Sequence, residues 1–393
     1  MTTGYGAGDE PNDAADDRLW TVLANDHLDP MVTVDASRFL QNFLPAGSPS
    51  VWSAEHFRWK LGEANPAGTG FMTVALHRGE VIGVTTITRK RFWDGQQEVP
   101  AAEIGDTYSS PLYRRQSRAE QPYIREGKAD EYLSRSIFGR LVAETRQRAL
   151  DSGLTLIYGT PNNNSMPGYV NRLGFFDYQS HFNRYYVRPG VSAASKRLAI
   201  MRPLARAVYP LDRAYAWMTA KICGRSAGFR AEELSAPGDM ADALWARLQG
   251  QMPMGAVRDG AYFRHRFLTN PLAKYRFWAV HTGGEPCGVF VSRAITHEDN
   301  LRSVHLAEWL IDPSVRGAFR FMAAHMVATI GDFATKSYSF WAEHGWASQQ
   351  GLKPLGFLAR GRVPIIFHGA EQSRNLDSSG VKFHFTLASS DNI

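Results

Sequence analysis

The chain has 393 residues, 44% of them hydrophobic and 21% charged. That composition excludes a disordered, collagen-like or fibrous chain, and the length suggests about two to three domains. No run of 18 apolar residues occurs, which excludes a transmembrane helix, and two cysteines, Cys223 and Cys287, exclude a disulfide framework or a cysteine zinc site. The opening Met1-Thr2-Thr3-Gly4 lacks the basic and apolar stretches of a secretory signal, so the expected location is a reducing cytoplasm.

The formal charge of +6 is unevenly spread. Residues 1–17 hold five acids (Asp9, Glu10, Asp13, Asp16, Asp17) and no Lys or Arg, so the rest of the chain carries +11. This segment reads as a disordered acidic tail. A basic body suggests anionic partners: phosphates, nucleic acid or a membrane surface.

Residues 18–62 mix helical periodicity with aromatic anchors and end in Glu55-His56-Phe57-Arg58-Trp59-Lys60-Leu61. Phe71–Leu76 and Val81–Ile87 read as strands joined by a hairpin turn at His77-Arg78-Gly79-Glu80. Ala102–Ser109 is the next strand. Residues 136–152 form an amphipathic helix with Phe138, Leu141, Val142 and Thr145 on one face, stopped by Gly153. Leu154–Gly159 is an apolar strand, and Asn162-Asn163-Asn164-Ser165 caps a short helix that ends at Leu173-Gly174-Phe175.

The order returns in the second half. Tyr275–Val280 and Cys287–Val291 flank a turn at Gly283-Gly284, His305–Ile311 is a strand, Phe319–Phe333 a helix and Lys336–Trp341 a strand. Leu355-Gly356-Phe357 answers Leu173-Gly174-Phe175. This weak repeat implies two copies of one α/β fold.

In Asp106-Thr107-Tyr108-Ser109-Ser110-Pro111-Leu112-Tyr113-Arg114-Arg115-Gln116 a strand runs into a Pro, then basic residues, with a helix after them. Strand–turn–helix geometry aims backbone N–H groups and the positive helix end at one point, which suits phosphate. Together with Tyr158-Gly159-Thr160-Pro161-Asn162-Asn163-Asn164-Ser165 and the closing Gly-Phe, residues 55–187 resemble the GNAT superfamily of acyl-CoA acyltransferases.

The resemblance implies an α/β (α+β) protein of two tandem GNAT-like domains, each a mixed twisted sheet flanked by helices. The expected division is the tail at 1–17, a GNAT-like acyltransferase domain at 18–188, a basic helical connector at 189–228 and a degenerate second copy at 229–393. It also implies acetyl-CoA or another acyl-CoA as co-substrate. The donor would be held at Tyr108, Ser109, Ser110, Arg114, Arg115, Gln116, Ser136, Phe138, Gly139, Asn162 and Ser165.

The sequence departs from the family at two places. Nineteen residues, Ser117–Arg135, separate Arg-Arg-Gln from the helix, as a lid or a surface loop. The family's general-acid Tyr lies four residues before the closing Gly, where this chain has Val170, with Tyr169 beside it.

Acyl transfer to an amine needs a deprotonated amine, an oxyanion donor and protonation of the leaving thiolate. A backbone N–H around Tyr108–Ser110 suits the oxyanion. Glu103 and Asp106 are the candidate bases, acting directly or through water. Three apart, they face opposite sides of a regular strand unless a bulge intervenes. In the second half, Asp312-Pro313-Ser314-Val315-Arg316-Gly317 keeps the Pro-x-x-Arg-Gly spacing. That copy is structural or forms one wall of an acceptor pocket; the alternative is that it, with its shorter loop, holds CoA. His305 and Glu308 could reach an interdomain pocket. No metal-ligand spacing and no Walker or dinucleotide loop occurs.

Residues 189–230 hold eight Lys or Arg against Asp212 alone, and apolar residues recur every three or four positions within 196–225. This is either an interdomain helix or a peripheral contact with anionic lipid. Within the superfamily the layout is similar to tandem-domain enzymes that acylate nucleotide-linked amino sugars in polysaccharide biosynthesis. The alternatives are an aminoacyl-tRNA-dependent cell-wall peptidyltransferase, for which no RNA motif stands out, and a degenerate non-catalytic scaffold. DNA is not an expected partner.

Overall fold

The computed structural model describes residues 21–25, 29–43, 52–112, 136–178, 182–187, 228–297, 300–330, 335–369 and 383–390, with six residues between 211 and 222. The tail at 1–17, Arg114, Arg115 and Gln116, the Ser117–Arg135 insertion and most of the connector lie outside the described residues.

In the first half, strands β1 (Thr21–Asn25), β2 (Phe71–His77), β3 (Glu80–Trp93) and β4 (Glu98–Ser109) pair antiparallel in chain order. The β2–β3 turn puts Arg78 and Gly79 at φ 51° and 81°, the twist that suits a tight hairpin. Thr21–Asn25 departs from the helical expectation for 18–62: it pairs with β2 along Met72–Leu76, where a sheet edge satisfies its backbone. Helices α1 (Pro30–Gln41) and α2 (Ala54–Leu61) follow, capped by Asp29 and Ser53 side chains. Helix α3 (Ile137–Asp151) buries Leu141, Val142 and Thr145 against the sheet. Gly83 permits that approach, since a Cβ there would sit 2.8 Å from both Ile137 and Leu141. Strand β5 (Leu156–Gly159), helix α4 (Met166–Arg172) and strands β6 (Phe176–Asp177) and β7 (Phe182–Val187) complete this half.

The second half repeats the plan. Strands β8 (Phe229–Leu234) and β9 (Met254–Ala256) come first, with helices α5 (Gly238–Leu248) and α6 (Gly260–Phe263). Strands β10 (Arg276–Thr282), β11 (Glu285–Thr296) and β12 (Arg302–Ile311) pair antiparallel, and β12 pairs parallel with β13 (Thr335–Glu343). The helix expected over 319–333 is α7 (Ala318–His325), continued by a wider π-type turn over Met326–Ile330. Then come α8 (His344–Ser348) and strands β14 (Leu358–Arg362), β15 (Ile366–His368) and β16 (Phe383–His384).

The strands do not sort by half. One sheet runs β1-β2-β3-β4-β5-β15-β6, with β9 bridging β3 and β16; the other runs β14-β7-β13-β12-β11-β10-β8. Strand β15, from the end of the chain, fills the gap between β5 and β6. Strand β7, from the first half, fills the gap between β13 and β14. The exchange crosses the boundary expected at 188–229.

In the connector, Leu211, Trp217, Met218 and Ile222 are exposed, and the Lys221 ammonium lies 5.7 Å over the Trp217 ring. No helix among the described residues is long and apolar enough to cross a membrane.

Phe367 on β15 is fully buried, ringed by Tyr158, Tyr178 and Phe383 at centroid distances of 6.3, 5.8 and 5.1 Å. Phe367→Ala should cost about 3–5 kcal/mol in urea unfolding, and the wild type should lose both halves in one transition. His368, next on the strand, gives a pH signature. Burial and then Arg146 lower its pKa from 6.5 to about 4. The unfolded chain therefore binds this proton first, so the stability is complete above pH 6.5 and is lost as pH falls through about 4. His368→Gln should flatten that part of the stability–pH curve; an unchanged slope removes the assignment.

Candidate active site

Strands β4 and β5 are paired only from Ala101↔Leu156 to Glu103↔Tyr158, and beyond Glu103 they separate. Gly159 lets β5 pass close at that point, because a Cβ would meet the Ile104 carbonyl oxygen at 2.9 Å. The opening is a cavity of about 270 Å³.

Strand β4 bulges at the same point. Val84 faces Tyr108 and Thr86 faces Gly105, so Asp106 and Thr107 together oppose Thr85. Asp106 takes φ 48°, which its short polar side chain tolerates better than most. The bulge breaks the alternation of a regular strand, and Glu103 and Asp106 both line the cavity.

Asp106 is firmly held. One carboxylate oxygen accepts from the Trp52 indole N–H at 2.8 Å; the other accepts from Lys60 Nζ at 2.5 Å and the Thr86 hydroxyl at 2.8 Å. Both charges are nearly sealed, with side-chain exposures of 2% for Lys60 and 8% for Asp106. Glu103 is buried and paired with Lys90 at 3.1 Å. Neither carboxylate stands as an isolated base.

Tyr169 on α4 reaches the opposite wall. Its hydroxyl shares a 2.8 Å hydrogen bond with Thr107 Oγ1, which shares another of 2.8 Å with Thr85 Oγ1. Phe138 and Phe175 pack edge-on to its ring at 5.2 and 5.1 Å. Burial pushes the Tyr169 hydroxyl well above the ordinary phenol range, so it stays protonated at neutral pH.

The remaining expected residues are placed as follows. The Tyr108 ring lies against Trp52 and Phe43 at 4.9 and 5.4 Å. Ser109 is buried opposite Gly83, and the Ser110 N–H donates to the Ile82 carbonyl at 2.8 Å, so it is committed to the sheet. Ser136 caps α3, its hydroxyl accepting from the Gly139 N–H at 3.1 Å. Asn162 is exposed, and its side chain accepts from the Asn164 and Ser165 N–H groups at 2.9 and 3.0 Å. The Ser165 hydroxyl donates back to Asn162 at 3.2 Å. Glu308, expected at an interdomain pocket, is fully buried and holds Arg258 at 3.0 Å, the Tyr262 hydroxyl at 2.7 Å and the Thr386 hydroxyl at 3.0 Å. His305 shares a 2.8 Å hydrogen bond with Ser339.

Sequence reasoning missed Trp52, Lys60, Thr85, Thr86 and Thr107. One signal existed for Lys60: it stands on the apolar face of α2, three after Phe57 and beside Leu61, and a lysine on such a face needs a buried partner. Lys60→Met would strip that partner from Asp106 and should cost about 3–5 kcal/mol. In Lys60→Met/Asp106→Asn the loss should be smaller than the sum of the singles; additive losses in urea melts would dissociate the pair.

No protein-family model and no curated protein sequence matches this chain. Solved structures do. A probable N-acyltransferase from Enterococcus faecalis is 13% identical, with 91% of this chain and 74% of that chain covered at a TM-score of 0.57. A GCN5-related N-acetyltransferase from Anabaena variabilis is 11% identical, with coverages of 88% and 72% and a TM-score of 0.55. Saccharomyces cerevisiae N-myristoyltransferase with bound myristoyl-CoA is 12% identical, with coverages of 88% and 82% and a TM-score of 0.52. The likeness spans both halves, and the chain has the fold of the GCN5-related acyltransferases, in two GNAT-like domains.

Proposed function

We propose that this protein is an N-acyltransferase that moves an acyl group from acyl-CoA to a primary amine in the cleft between β4 and β5. The observation that carries the reading is the coincidence, at one strand separation, of the Asp106 bulge and the Tyr169 hydroxyl. The acyltransferase fold supports it. Arg114, Arg115 and Gln116, with the start of α3, would hold the donor's phosphates.

The amine nitrogen attacks the thioester carbonyl, a C–N bond forms and the C–S bond breaks. Tyr169 gives its proton to the leaving thiolate, and the proton released by the amine is relayed through water to the Tyr169 phenolate and restores the phenol. The Asp106 carboxylate is already taken up by Trp52, Lys60 and Thr86. Asp106 therefore acts by charge, favouring the positive nitrogen formed on attack, while water takes the proton. Glu103, tied to Lys90, contributes charge behind it.

An amino sugar, free or nucleotide-linked as in polysaccharide biosynthesis, is the acceptor that suits the reading best. The body outside the first 17 residues carries +11, which attracts a nucleotide's phosphates, and Trp52 lines the cleft. The exposed apolar residues of the connector, with Lys221, would suit peripheral contact with anionic lipid.

Calorimetric titration with acetyl-CoA, followed by thiol release with an amine acceptor, tests the assignment. The wild type should bind acetyl-CoA and Arg114→Ala should bind it less. Tyr169→Phe should keep the donor affinity and lose roughly 10²–10⁴ in kcat. Absence of acetyl-CoA binding overturns the acyltransferase reading; full turnover by Tyr169→Phe overturns the role of Tyr169 alone.

A further inference from the structure

A second, larger cavity lies where β12 and β13 separate. These strands are paired only as far as His305↔Ser339, and the space beyond has a volume of about 580 Å³. That is within the ~300–1,000 Å³ of sites for small molecules. The turn between β3 and β4, from the other half, closes one side at Asp94–Gln96, and the segment Phe383–Phe385 closes another. The cavity shares no lining residue with the cleft between β4 and β5.

Its wall is aromatic. Trp309 and Trp346 stand nearly parallel, 6.1 Å apart at 12°, and Phe383 and Phe385 line the same space. Its charge is the reverse of the chain's. Among the described residues no Lys or Arg lines this cavity, while two carboxylates, Asp94 and Glu343, do. Glu343 is fixed by the N–H groups of Gly345 and Trp346 at 3.1 and 3.2 Å, and Asp94 by those of Gln96 and Gln97, both at 2.8 Å. The imidazole of His384 adds no positive charge, because burial and then Arg258 hold it neutral. Its Nε2 has no hydrogen-bond partner among the described residues.

Aromatic faces attract a cation through the negative face of the ring, and carboxylates at the rim add to that attraction. The same charges repel pyrophosphate, so the cavity does not fit the phosphates of CoA. We propose that it is a second ligand site, for an ammonium group carried on an aromatic or apolar body. The ring faces take the body, and Asp94 and Glu343 select the charge.

The probes are 2-phenylethylamine, protonated at neutral pH, and its uncharged isostere 2-phenylethanol, each titrated calorimetrically into the full chain. The amine should bind at one site and the alcohol roughly tenfold more weakly. Gly250 lines the cavity, and a Cβ built on it meets nothing within 4 Å, so Gly250→Phe adds a ring at the lining with no clash at its Cβ. This variant should lose the amine while keeping the wild-type urea midpoint. Asp94→Asn, which retains the oxygen that caps the turn, should weaken the amine and leave the alcohol unchanged. Equal affinity for the two probes, amine binding that survives Gly250→Phe, or no amine binding at millimolar concentration overturns the proposal.

Discussion

Neither sheet is closed by the half of the chain that begins it. Without β15, strands β5 and β6 would lose their common partner, and without β7 the buried strand β13 and the exposed strand β14 would lose theirs. Hydrogen bonding thus locks the two copies together more firmly than side-chain contact at an interface would. The C-terminal segment adds to the lock. Tyr158 donates to the Ser389 carbonyl at 3.0 Å, and Arg266 donates to the carbonyls of Ala388 and Ser390 at 3.1 and 2.6 Å. Both separations of parallel strands, and so both cavities, rest on this mutual completion.

The two strand separations show how one fold plan sets a carboxylate in two different surroundings. Each sits beside a bulge, at Asp106-Thr107 in β4 and at Ala307 in β12. In the first half the bulged carboxylate meets Lys60 and lines an open cleft. In the second, the nearby carboxylate of Glu308 is sealed by Arg258, Tyr262 and Thr386 and has become part of the core. A buried ion pair contributes little net stability when its desolvation is counted, but removing one partner strands the other. Such pairs therefore hold geometry, and at Asp106 the geometry held is that of the bulge.

The cavities also differ in charge. The cleft between β4 and β5 collects Lys60 with its carboxylates, and the sequence adds Arg114 and Arg115 just beyond β4. Among the described residues, no Lys or Arg lines the cavity between β12 and β13. The proposed donor and the proposed ammonium ligand would thus be sorted by sign before shape enters.

The sequence by itself determined the local elements and their repetition. The turn at Arg78-Gly79, the apolar face of α3 and the two Leu-Gly-Phe closures are set by neighbours within a few residues, where periodicity and turn chemistry act. These, with the strand-Pro-Arg pattern after Asp106, were enough to reach the fold and to mark Asp106, Glu103 and Tyr169. Only the tertiary structure decided what those groups touch. Lys60 is 46 residues from Asp106, and Thr107 is 62 from Tyr169. The strand exchange joins residues about 200 apart, Ile366 with Gly159. Pairings at such separations leave no period in the sequence. They follow from which backbone groups remain unpaired, and which charges remain buried, once the local elements have packed.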